Sequence, residues 1–151
     1  MTARDIQPLR ELLHRVLVRY LTITPRGFVL EPGQEPLAKV TARIIGYGGA
    51  RTLYRERRPV CRSLDGVTSI QDSARTCAQC PTRGHCTPQV HLDLIVRTRA
   101  LRLLLAFSSA RSFLEYQADL QRRDRAIDAI EHELTVVPRG SWGEVRFREL
   151  G

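Results

Sequence analysis

The sequence predicts one α+β domain over residues 1–151: a small antiparallel sheet or small barrel, one long helix in the C-terminal half, and a metal-knuckle insertion at about 55–89. Three observations predict it. Short segments of alternating polarity recur, a capping box opens a long helical stretch, and all four cysteines fall within 26 residues of an aperiodic segment. A chain of 151 residues has the usual size of a single domain and can bury a core without disulfides. Its 42% hydrophobic and 26% charged residues exclude wholesale disorder. No apolar run nears the ~18 residues of a membrane span. The start, Met-Thr-Ala-Arg-Asp, lacks the layout of a secretory leader. The expectation is a soluble, cytoplasmic protein.

Residues 4–21 carry Ile6, Leu9, Leu12, Leu13, Val16, Leu17, Tyr20 and Leu21 at helical spacing, with Thr2 and Asp5 as a cap. A helix ending near Leu21 is expected; the β-branched and aromatic residues of 16–23 support a competing strand. Turn chemistry at Thr24-Pro25-Arg26-Gly27 and at Glu31-Pro32-Gly33 brackets a short strand at 28–30. Residues 39–47 alternate, Val40, Ala42 and Ile44 against Lys39, Thr41 and Arg43, as a strand does. Past the insertion, 90–96 alternates again. Residues 101–107 are nearly continuous in apolar side chains, which suits a strand buried on both faces.

Ser112 with Glu115 forms a capping box for a helix running to about Leu134. Its core stripe is Phe113, Leu114, Leu120, Ile127, Ile130 and Leu134. Strands at 135–137 and 145–147, joined by Pro138-Arg139-Gly140-Ser141, end the series, with Trp142 packed under the sheet. This order suits the β-β-β-α-β-β arrangement of an OB-like barrel. A plain α+β sheet with helices on one face fits it too.

The cysteines are spaced Cys61-x15-Cys77-x2-Cys80-x5-Cys86. In a reducing compartment such clustering favours metal ligation over disulfides. Two residues between Cys77 and Cys80 let a turn aim both thiolates at one ion, and four thiolates satisfy tetrahedral Zn²⁺. Ligation would order a segment that has no core of its own. A closed Cys₄ sphere leaves no open position for catalysis, so the expected zinc is structural. A 4Fe-4S cluster is the alternative: the last three cysteines resemble those of RecB-type iron–sulfur exonucleases. Those enzymes also need a carboxylate/lysine motif, and Lys39, the only lysine, has none around it. An accessory of such a nuclease stays open.

Lys+Arg is 24 against 16 Asp+Glu, a net charge of +8, and 23 of the 24 are arginine. Guanidinium groups bind phosphate in a bidentate way and stack on bases. A pI of about 10.2 suits nucleic acid or an acidic protein partner. The densest stretch is Arg51, Arg55, Arg57 and Arg58 with Tyr54; Arg62, Arg75 and Arg83 add to it. Arginines beside an aromatic meet what a single strand needs: phosphates neutralised and a base stacked.

The segment Pro59-Val60-Cys61-Arg62-Ser63-Leu64-Asp65-Gly66, then Cys77-Ala78-Gln79-Cys80-Pro81 and Cys86, resembles small phage, prophage and plasmid zinc-knuckle proteins. The resemblance implies an OB-type single-stranded DNA-binding factor. The expected function is non-enzymatic binding of nucleic acid, single-stranded DNA or RNA. Cys61, Cys77, Cys80 and Cys86 would hold the metal, the arginines above the phosphates, and Tyr54 a base. A small structural subunit of a nucleoprotein or mobile-element assembly, docking a protein partner, is the alternative. No catalytic set emerges: His14, His85, His91 and His132 are scattered, the deaminase pattern is absent, and Gly46-Tyr47-Gly48-Gly49 lacks the lysine of a phosphate loop.

Overall fold

One long strand organises the molecule. The computed structural model describes residues 19–63, 77 and 85–151; the expected N-terminal helix before Arg19 and most of the insertion lie outside them. Strand β4 spans Lys39–Arg55, well past Tyr47. Its start pairs with β8 (Glu131–Arg139), its middle with β6 (Thr87–Val96), and its end with both β6 and β5 (Arg58–Ser63). Between Ile44 and Gly46 the register shifts. That bulge bends the strand and leaves Ile45 in solvent.

Two further hairpins build outward. β6 turns at Arg97-Thr98 into β7 (Arg99–Ala106), and β8 turns at Gly140-Ser141 into β9 (Trp142–Leu150). At the far edge β1 (Arg19–Tyr20) runs parallel to β7, Arg19 opposite Leu101. The sheet order is β1-β7-β6-β4-β8-β9, with β5 also on β4. β2 (Thr22–Thr24) and β3 (Gly27–Val29) form a separate ribbon. Residues 19–24 are therefore extended around Leu21, whose N–H donates to the Arg102 carbonyl at 2.9 Å. This corrects the expected helix at its end: the β-branched and aromatic character of that stretch prevails over its helical spacing.

Alternation along the strands assembles one core. Val40, Ala42 and Ile44 of β4 meet Leu92 and Leu94 of β6, Leu101, Leu103 and Leu105 of β7, Leu134 and Val136 of β8, and Val145 of β9. Phe28 and Phe113 fill the centre, both fully buried. Each such side chain contributes on the order of 1.5–3 kcal/mol. Arg102, on the other face of β7, is buried because its Nε donates to Asp93 Oδ1 across the ladder at 2.8 Å. Trp142 lies at the β8–β9 turn, 48% exposed, not under the sheet.

Helix α1 is Phe107–Arg122. It begins before the capping box and ends twelve residues short of Leu134. The stop is a Schellman motif: Asp124 N–H donates to the Gln121 carbonyl and Arg125 N–H to that of Leu120, with Asp124 at φ +54. The chain then passes a 3₁₀ turn at Ile127–Ala129 into β8. Leu134 is thus buried from a strand, and Leu114, on α1, is 52% exposed.

The architecture of the described residues is α+β, with one long helix and a mixed, open sheet, and the expected OB-like barrel is corrected. Among the described residues no ladder joins β7 to β9. Helix α1 packs against both strands, and the Ser109 hydroxyl accepts the buried Val145 N–H at 2.9 Å. A side chain of the helix thereby satisfies a β9 donor.

Candidate nucleic-acid interface

The cysteines do not assemble a metal centre in the described structure. Among the described residues, no group of three or more His, Cys, Asp or Glu side chains is placed to hold an ion. Cys61, Cys77 and Cys86 are half-buried; Cys80 lies outside the described residues. Thr52 of β4 pairs with Arg62 on one side and Thr87 on the other. The backbones at Arg62 and Thr87 are therefore two strand spacings apart, about 9–10 Å. Their chain neighbours Cys61 and Cys86 stand on segments that β4 separates, whereas thiolates sharing one zinc lie within about 4 Å of each other. The expected zinc knuckle, and the iron–sulfur alternative with it, is corrected.

The arginine-rich stretch, in contrast, becomes one structural unit. β4 and β5 form a hairpin with Arg55 opposite Arg58, Leu53 opposite Cys61 and Thr52 opposite Arg62. Residues 51–63 hold five arginines against Glu56 alone, a net +4 of the chain's +8. The hairpin breaks local rules. Like charges face each other at Arg55 and Arg58, which disfavours the pairing. The two turn residues, Glu56 and Arg57, take φ +50 and +66, a conformation that suits Asn-Gly and costs other residues. Arg55, Arg57, Arg58, Tyr54 and Val60 are all exposed, and Arg51 is half-buried. Arg75 and Arg83 lie outside the described residues.

A hydrogen-bonded relay anchors the base of this hairpin. Arg62 Nε donates to Thr52 Oγ1 at 3.3 Å, the Thr52 hydroxyl donates to Gln89 Oε1 at 2.6 Å, and Gln89 Nε2 donates to the Tyr54 hydroxyl at 3.2 Å. Thr52 and Gln89 are buried, while Tyr54 keeps 40% of its surface exposed. Arg62 also lies over the Tyr20 ring, 4.8 Å from its centroid. It is thus tied to the sheet, unlike the arginines at the tip. Sequence reasoning misses Thr52 and Gln89; the one signal for them is a polar residue at an inward position.

Arginines elsewhere are largely neutralised. Arg123 and Arg125 engage Glu149, Arg139 and Arg146 engage Glu144, Arg148 engages Glu133, and Arg122 engages Asp119. Arg99 bonds Glu31, and that guanidinium holds the Glu31 carboxyl below its usual range. Among the described residues, no carboxylate pairs with Arg51, Arg55, Arg57 or Arg58. Nine other described arginines have a carboxylate partner, so these four, gathered on one ribbon, stand out as uncompensated charge among the described residues.

His132, fully buried on β8, belongs to a different construction. Its Nε2–H donates to the Ile127 carbonyl at 2.7 Å, which leaves Nδ1 to accept the Tyr116 hydroxyl at 2.6 Å. Burial pushes the histidine pKa down, although the Ile127 carbonyl opposes this. Burial pushes Tyr116 up to about 12. The pair ties α1 to the chain that follows it.

Compared with family models, curated proteins and solved structures, the chain matches none. No relative links it to a phage, prophage or plasmid, and that part of the expectation is not retained. Among the described residues no helix is long and apolar enough to cross a membrane.

Proposed function

We propose that this protein is a non-enzymatic nucleic-acid-binding protein of the cytoplasm whose contact element is the β4–β5 hairpin. One observation carries the reading. Four arginines, Arg51, Arg55, Arg57 and Arg58, share a strained ribbon with exposed Tyr54 and have no carboxylate partner among the described residues. Opposed guanidiniums destabilise a free hairpin and are relieved by a polyanion laid between them.

The test is a salt titration of oligonucleotide binding by fluorescence anisotropy. Affinity is expected to fall linearly in log–log form, with a slope near −3 for four phosphate contacts on a single strand. Absence of binding at low salt, or affinity indifferent to salt, overturns the reading.

A further inference from the structure

Helix α1 and β6 enclose an apolar groove of about 600 Å³ lined by Pro88, Gln89, Phe107, Ala110 and Leu114. Phe107 is 78% exposed and Leu114 52%. Phe107 also takes φ +49, a backbone state disfavoured for a bulky residue. The groove and the hairpin are continuous. Pro88, which lines the groove, pairs with Arg51 of the hairpin strand, while the Gln89 side chain turns to the opposite face of the sheet, where it holds Thr52 and Tyr54. Their charges differ in kind. The groove lining holds one arginine, Arg111, and one glutamate, Glu115, whereas residues 51–63 carry a net +4. Phosphates are drawn to the hairpin, and the groove suits something flat, apolar and uncharged attached to them.

We propose that this groove is the base-binding subsite for a single-stranded nucleic acid whose phosphates lie along the β4–β5 hairpin. The proposal rests on the hairpin reading above and adds strandedness to it. A duplex keeps its base faces stacked inside and has none to offer such a groove; a single strand presents them freely. Phe107, held out by its backbone, offers an exposed ring on this face for a base to stack on. Loss of one stacking platform lowers single-strand affinity about 5- to 150-fold.

The experiment measures binding of the full chain to three labelled ligands: a 12-nucleotide oligothymidine, whose bases are unstacked, an abasic strand of equal length, and a 12-base-pair duplex. Phe107→Ala and Leu114→Ala truncate exposed groove residues, and circular dichroism confirms that each variant folds. Either variant is expected to weaken oligothymidine binding within that range, with the salt slope and the abasic and duplex affinities unchanged. Wild-type affinity of both variants for oligothymidine overturns the proposal, as does equal wild-type binding of the abasic strand. If a hairpin variant, Arg55→Gln with Arg57→Gln and Arg58→Gln, loses affinity while both groove variants keep it, the groove assignment fails and the hairpin reading stands. If the wild-type chain ignores all three ligands at low salt, both fail, and the groove is left to a protein partner.

Discussion

Gln89 donates a hydrogen bond to the hydroxyl of Tyr54 at 3.2 Å, fixing an exposed aromatic ring of β4 from a buried position on the neighbouring strand β6. Its Oε1 meanwhile accepts from Thr52, which is fully buried. Gln89→Leu removes both bonds and leaves the Thr52 hydroxyl without its acceptor. A loss of about 1–3 kcal/mol is expected in urea denaturation, with oligonucleotide affinity reduced as the Tyr54 ring gains freedom. Unchanged stability and affinity in this variant would show that the relay positions nothing.

The hairpin turn makes an opposite prediction. Glu56, at φ +50, is both strained and the lone carboxylate of residues 51–63. Asn visits this conformation readily. Glu56→Asn is expected to stabilise the protein by about 0.5–1 kcal/mol and to raise oligonucleotide affinity. Thermal denaturation and anisotropy check the two effects separately, and a fall in either quantity goes against the description of the turn.

His132 predicts a pH dependence. Its pKa in the fold is depressed by burial, so below about pH 6.5 the unfolded chain takes up a proton that the folded chain refuses. The histidine's stabilising contribution is therefore complete above about pH 6.5 and declines as pH falls towards the folded value. Melting temperature should drop between pH 7.5 and pH 5.5 in the wild type and much less in His132→Gln. Parallel slopes in the two proteins would contradict the assignment of His132 as a buried neutral group.

The fold was legible where local pattern and burial agree. The alternation of Val40, Ala42 and Ile44, and of Leu92 and Leu94, marks inward faces that the structure keeps. It was illegible where a boundary carries no signature. Helix α1 stops on Asp124 in a position usually given to glycine, so the polar run at 121–125 reads as more helix. At its start the helix opens on Phe107 with no side-chain cap, while Ser112 and Glu115 imitate a cap from inside it. The cysteine spacing misled for another reason: sequence separation says nothing of a strand running between two ligands, and β4 does that between Arg62 and Thr87. The hairpin arginines were visible as a cluster. That Arg51, Arg55, Arg57 and Arg58 lack carboxylate partners among the described residues, while the arginines around Glu144 and Glu149 have them, depends on pairing across strands, which composition does not encode.

The most direct measurement compares two variants of equal charge change: Arg55, Arg57 and Arg58 replaced by Gln in one, and the ion-paired Arg122, Arg139 and Arg148 replaced by Gln in the other. Removing three phosphate contacts should flatten the salt slope of single-strand binding by about 2 in the hairpin variant, with a large loss of affinity, and leave the slope of the second near the wild-type value. Equal losses in both would mean that overall positive charge, and not this hairpin, holds the nucleic acid.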